Sequence, residues 1–258
     1  MDRTITLRLK ASPAQAGALN ETICQFTRAF NMVCTYGWSV EEKNGTALHH
    51  ATYRDSKVRA PGLVSDLHIQ ARVKATEAVK SALALKKTGK KISAPHSNAR
   101  PPRYNLHIYK LDWDARMVNL STTDGRQHIP FIIPSYARKY AGYPVATADL
   151  VRHGGHWDLH VVVAVPAPEI ASTDEVVGVD VGVNRAAVTS DNRFMGKRCW
   201  RELEARDFRL RRALQKKGTK SAKRLSGKTA RRRRDHDHVV SRRIAQEHPQ
   251  GRRSPSRA

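Results

Sequence analysis

Val176–Ser190 reads VVGVDVGVNRAAVTS, and this stretch decides the fold of the segment that carries the chemistry. Val176 to Val179 is a short, β-branched, apolar run, which predicts a buried strand. Asp180 interrupts it with a charge. Gly182 and Asn184 then supply a tight turn, and Ala186 to Thr189 starts a second strand. A carboxylate at the end of a buried strand is costly unless a cation or a set of donors meets it. Asp180 is therefore either a cap of the hairpin turn or a metal-binding, catalytic acid.

Downstream the composition changes. Residues 201–248 read RELEARDFRLRRALQKKGTKSAKRLSGKTARRRRDHDHVVSRRIAQEH. Leu203, Phe208, Leu210 and Leu214 make the apolar stripe of a helix from Arg201, which Gly218 breaks. A second helix from about Ser221 carries Leu225, Ala230, Val239, Val240 and Ile244. The 258-residue chain has a net charge of +24, and residues 193–258, with 23 Lys/Arg and 6 Asp/Glu, hold +17 of it. No fold requires such an excess; it implies a polyanionic partner, most simply nucleic acid. The candidate phosphate-binding residues are Arg211, Arg212, Lys216, Lys217, Lys220, Lys223, Arg224, Lys228, the run Arg231, Arg232, Arg233 and Arg234, and Arg242 and Arg243. The sequence holds no apolar run of about 18 residues to span a bilayer and no secretory signal pattern, so a soluble, cytoplasmic protein is expected, with no membrane partner.

Upstream, Thr4–Lys10 alternates Ile5, Leu7 and Leu9 with polar residues and predicts a strand. Ser12-Pro13 caps a helix from Ala14 to about Val40, with Leu19, Ile23, Phe26, Phe30, Val33 and Tyr36 as its core face. Helices follow at Thr46–Val58 and from Ser65, as cap, to about Leu85, the latter turning Ile69, Val73, Val79 and Leu83 inward. Lys86–Lys91 is a basic loop, solvated or touching phosphate. Beyond the Pro-containing stretch 94–102 the period becomes two: Tyr104–Lys110, Met117–Ser121, His128–Ile133, Val145–Arg152 and Trp157–Val165 read as strands, with turns at Asp124-Gly125 and Gly154-Gly155. His153, His156 and His160 read as exposed hairpin positions rather than a metal site. Cys24, Cys34 and Cys199 form no CxxC pair and read as free, partly buried thiols. Pro166–Thr173 is a linker, and residues 249–258 read as a disordered tail.

A strand-borne Asp, a Gly-Val-Asn turn, a second strand and then basic helices resemble the first catalytic segment of TnpB-type (OrfB) transposon-associated nucleases, relatives of the type V CRISPR effectors. The opening strand, Ser-Pro and a helix carrying Phe30-Asn31 resemble the start of the same family. The resemblance implies an α+β protein: a small antiparallel wedge-like β-barrel (1–10 and 103–166) with a helical recognition insertion (11–102), followed by an incomplete RNase H/RuvC-like α/β segment (174–248). It also implies guide RNA and target DNA as partners, and Asp180 as the first acid of a Mg²⁺ site.

Such nucleases cut with two metals held by several carboxylates, and one carboxylate does not hold two Mg²⁺. The family's later Glu, late Asp and four-cysteine zinc element have no match here. Glu247 is followed by His248-Pro249 rather than by a strand, Glu202 and Glu204 match no family acid, and no zinc is expected. The expectation is a C-terminally truncated family member that is inactive alone. The alternative is a non-catalytic nucleic-acid-binding remnant or regulator. A third reading takes GVDVG as the phosphate hairpin of an actin-like kinase or ATPase, against which the basic and short remainder of the chain argues.

Overall fold

Ile5, Leu7 and Leu9 point inward from a strand whose outward positions are Thr4, Thr6 and Arg8, and the first part of the molecule is assembled on that strand. The computed structural model describes residues 1–89, 91–167, 178–180, 185, 187–195 and 200–247. The chain divides into two units, Met1–Ala167 and Pro168–Ala258. The described residues form an α+β structure whose larger sheet is antiparallel and nearly closed.

In the first unit the strands are β1 (Asp2–Leu9), β2 (Arg103–Tyr104), β3 (Tyr109–Asp112), β4 (Met117–Thr122), β5 (Gly125–Ile132), β6 (Val145–His153) and β7 (His156–Ala164). They make one seven-stranded sheet in the order β2-β6-β7-β1-β5-β4-β3. β1 pairs with β7 along its whole length but with β5 only at Arg8 and Leu9. The terminal strands β2 and β3 are joined by a short turn, and the Tyr109 hydroxyl donates to Ala146 O on β6 at 3.3 Å, which draws the two ends of the sheet together. The Asp124-Gly125 and Gly154-Gly155 turns form as expected, with both glycines of the second at positive φ, 58° and 83°, where a Cβ would be strained.

One expected strand is two. Tyr104 pairs with β6 and Tyr109 with β4. Between them Asn105 bends the chain, its side chain accepting from His107 N at 3.1 Å and its carbonyl from Ile108 N at 3.1 Å. An Asx turn offers the backbone a competing set of hydrogen bonds, and alternation in the sequence does not register it.

Three helices insert between β1 and β2: α1 (Pro13–Ser39), α2 (Gly45–Arg59) and α3 (Ser65–Lys87). Ser12 and Gln15 form a capping box at the start of α1. Its Leu19, Phe26, Phe30 and Val33 are buried as expected, whereas Tyr36 is 39% exposed. Helix α3 departs from expectation twice. Ser65 is its first helical residue and provides no cap; Val64 holds that position without a side-chain bond. Ile69 and Val73 are only half-buried, and the inward face is Leu67, Ala71, Ala75, Val79 and Leu83. Alanines let α3 approach α1 closely, a preference that ranking residues by hydrophobicity hides. Helices and sheet share one apolar cluster. The segment after α3 is tied across α1 by Asn31, whose amide donates to Ser97 O at 2.8 Å and accepts from Ser97 N at 2.9 Å.

Cys34 is buried, and burial pushes its thiol up to about 12, so it stays protonated and inert. Cys24 is exposed rather than partly buried, and Cys199 lies outside the described residues.

Between α2 and α3, the buried Ser56 hydroxyl meets His68 Nδ1 at 2.7 Å. Burial, helped by the nearby Lys57 ammonium, holds the His68 imidazole below its ordinary range. The folded state therefore keeps His68 neutral where the unfolded chain protonates it. This contribution to stability is complete above about pH 6.5 and is lost as pH falls toward the lower folded value. Thermal melts from neutral to mildly acid pH should show that loss, and His68→Asn should flatten it; an unchanged acid limb in the variant would sink the assignment.

In the second unit, β8 (Val179–Asp180), β9 (Ala187–Thr189) and β10 (Phe194–Met195) form a three-stranded antiparallel sheet in the order β10-β9-β8. Helices α4 (Trp200–Lys217) and α5 (Lys220–Glu247) follow. The third strand was not expected: Thr189 and Asp191 bond across a turn in which Asn192 takes φ 60°, and that turn returns the chain onto β9. Residues 176–177, the Gly182–Asn184 turn, Ala186, most of the 166–173 linker and 249–258 lie outside the described residues.

Candidate nucleic-acid interface

Gly218 ends α4 at φ 63°, the left-handed conformation that glycine adopts without cost. Thr219 then caps α5, its hydroxyl accepting from Ala222 N at 3.2 Å. Lys216 and Lys217 occupy the last turn of α4, where cations complement the helix dipole.

Residues three and four apart share a helix face. On α5, Ala222, Ser226, Thr229 and Arg233 are the buried or half-buried series, and this face meets α4. Arg233 Nη2 bonds Glu204 Oε1 of α4, and Leu214 and Ala222, both buried, close the other end of the hairpin beside Gly218. The opposite face carries Lys220, Arg224, Lys228, Arg231, Arg234 and Arg242, all exposed. From Arg224 to Arg242 this row runs about 27 Å at the helical rise. Lys223 and Arg232 flank it and are exposed too.

On α4, Arg211, Arg212, Lys216 and Lys217 are exposed, as are Arg206 and Arg209, which sequence reasoning passed over although they extend the same basic surface. Of the fourteen cations expected to meet phosphate, twelve are exposed on these two helices. Arg233 is the exception, turned into the helical hairpin by Glu204, and the Arg243 side chain is outside the described residues. The expected apolar stripe is a correction: Phe208 is 56%, Leu210 37% and Leu225 46% exposed, and within the hairpin only Leu214 of the described stripe is buried. The Arg212 guanidinium lies 6.0 Å from the Phe208 ring centroid, so cation and aromatic share that surface. The side chains of Leu203, Val239, Val240 and Ile244 lie outside the described residues.

Asp180 does not sit in a buried strand. It is exposed, and Val179 beside it is 46% exposed. In register it faces Val188, which faces Phe194, 59% exposed, so its neighbours across the small sheet are apolar. Among the described residues there is no group of three or more His, Cys, Asp or Glu side chains able to hold a metal ion. On the edge strand, with no pair of further ligands among the described residues, the exposed Asp180 carboxylate does not fit the several-oxygen shell of Mg²⁺. His153 and His156 are exposed at the hairpin end and His160 is half-buried on β7. No described helix is long and apolar enough to cross a membrane.

No protein-family model and no curated protein matches the sequence. Among solved structures, the chain is similar to one from a cryo-EM structure of a CRISPR-Cas12f ternary complex, with a TM-score of 0.44 and 13% identity. The match covers 90% of this chain and 60% of that one, so the present chain spans about three fifths of its length.

Proposed function

We propose that this chain is a nucleic-acid-binding protein of the TnpB/OrfB type, a relative of RNA-guided, metal-dependent DNA endonucleases, that binds RNA and DNA but does not cut by itself. The observation that carries the binding is the row of exposed cations along one face of α5, opposite the face that meets α4. Counterions released from phosphates as these residues dock supply affinity without reading sequence. The family assignment rests on the resemblance of Val176–Ser190 and of the basic helices after it. On that reading the partners are a guide RNA and a target DNA, and Asp180 is one acid of a two-metal site that needs further carboxylates.

The purified chain should bind duplex and single-stranded nucleic acid with steep salt dependence and release no cleavage product with Mg²⁺. Cleavage that needs Mg²⁺ and disappears in Asp180→Ala would overturn the non-catalytic part of this reading. Failure to bind either nucleic acid at low salt would overturn the whole.

A further inference from the structure

Three of the seven tyrosines of the chain, Tyr136, Tyr140 and Tyr143, fall within eight residues of one another, and residues 125–148 contain no Asp or Glu. The structure gives this segment a specific form. After β5 the chain makes a short 3-10 helix, Ser135–Tyr140. Ala137 is fully buried, and Tyr140 and Tyr143 pack against the core, so the segment is anchored from beneath. Tyr136, Arg138 and Lys139 are left exposed.

Tyr136 is held in place. β1 pairs with β5 only from Arg8 onward, and the Thr6 N–H before it donates instead to the Tyr136 hydroxyl at 2.9 Å. The phenol is therefore occupied at the edge of β1 while the side chain stays exposed, the residue as a whole at 53%. A free tyrosine on a surface loses rotamer freedom when it binds; this one has already given it up. In a 3-10 helix residues i and i+3 eclipse, so Lys139 stands over Tyr136 on the same face, about 6 Å along the axis. The Lys139 ammonium lies 5.1 Å from the Tyr140 ring centroid. Ile132, 45% exposed at the end of β5, adds apolar surface next to the platform.

We infer that this segment is a stacking platform for a single nucleic-acid strand: an unpaired base lies on the Tyr136 ring while Arg138 and Lys139 meet the adjoining phosphates. An immobilised aromatic face flanked by cations, with no acid in the surrounding stretch, suits that ligand. A duplex offers the ring no base face, because its bases are covered by their neighbours. The inference deepens the nucleic-acid reading above and rests on it, but it uses residues remote in sequence from the basic helices and a different attraction.

The test uses the full chain and short oligonucleotides, DNA and RNA, carrying 5-iodouracil, with photo-cross-links mapped by mass spectrometry. An adduct on Tyr136 is expected with single strands and none with the matching duplex. Tyr136→Phe, which keeps the ring but loses the bond from Thr6 that holds it, should retain the adduct with a smaller loss of single-strand affinity than Tyr136→Leu. Tyr136→Leu should lose the adduct and about tenfold in single-strand affinity while duplex affinity stays unchanged. If Tyr136→Leu does not fold, the wild-type adduct and the Tyr136→Phe result still decide. Adducts confined to residues 200–247, or equal losses for duplex and single strand, would overturn the platform while leaving the basic-helix reading intact. A Tyr136 adduct that survives serine substitution of Arg231, Arg232 and Arg234 supports the platform independently of those helices. Absence of any binding would overturn both.

Discussion

Raising salt from about 50 to about 200 mM should weaken nucleic-acid binding by the full chain by about 10³- to 10⁵-fold, the range set by six to ten phosphate contacts. The estimate follows from α5. Its outward cations are exposed and spaced along one face, so a phosphate backbone laid on that face neutralises several at once. The substitution series is specific. Changing Arg231, Arg232 and Arg234 together to Ser should reduce the slope of log K against log salt by about 3 for duplex DNA, with similar losses across unrelated sequences. Arg233→Ser should leave that slope almost unchanged, because Arg233 is engaged with Glu204 inside the helical hairpin. Equal effects from all four arginines in a salt titration would mean that the hairpin geometry does not govern binding.

Asp149→Asn should destabilise the first unit by about 3 kcal/mol, a fall in melting temperature of about 6–12 °C for a domain of this size. The reason lies across α3. Lys74, expected from its type to be on the surface, has a side chain only 4% exposed, with its ammonium 3.1 Å from Asp149 Oδ2. It also donates to Pro101 O at 2.8 Å. Burial already disfavours its charged form, and Asp149 works against that loss. Asparagine leaves an amide oxygen there but removes the counter-charge, so the buried ammonium faces only neutral acceptors. The reciprocal change is gentler: in Lys74→Met, Asp149 remains 32% exposed and keeps Arg103 at 3.4 Å, so the cost should stay within about 1 kcal/mol. Chemical denaturation of the two variants separates the cases, and equal costs would show that the pair, rather than the stranded ammonium, sets the effect.

Much of the architecture was legible because local chemistry and tertiary packing agree. The Ser12 cap, the Gly-Gly hairpin and the alternating strands β4 to β7 each carry their signal within a few residues. The misreadings have a common form. On α3 the periodicity chose Ile69 and Val73, and the structure buries Ala71 and Ala75, since closeness to α1 rewards small residues over large ones. Asp180 was read within a buried strand, yet its described neighbours form a small sheet with an exposed face. Burial of a strand depends on what covers the sheet, which no local pattern states.

The sequence by itself determined the charge excess and its concentration in residues 193–258, from which a polyanionic partner is expected, because both are properties of composition. It also determined most element positions, because capping and periodicity act over a few residues. Only the tertiary structure decided which arginine of the four-residue run turns inward, that Lys74 is a buried ion, and that Tyr136 is locked with its side chain outward. Each depends on a partner far along the chain, at Glu204, Asp149 and Thr6 respectively, and distance in sequence carries no signal of contact in space.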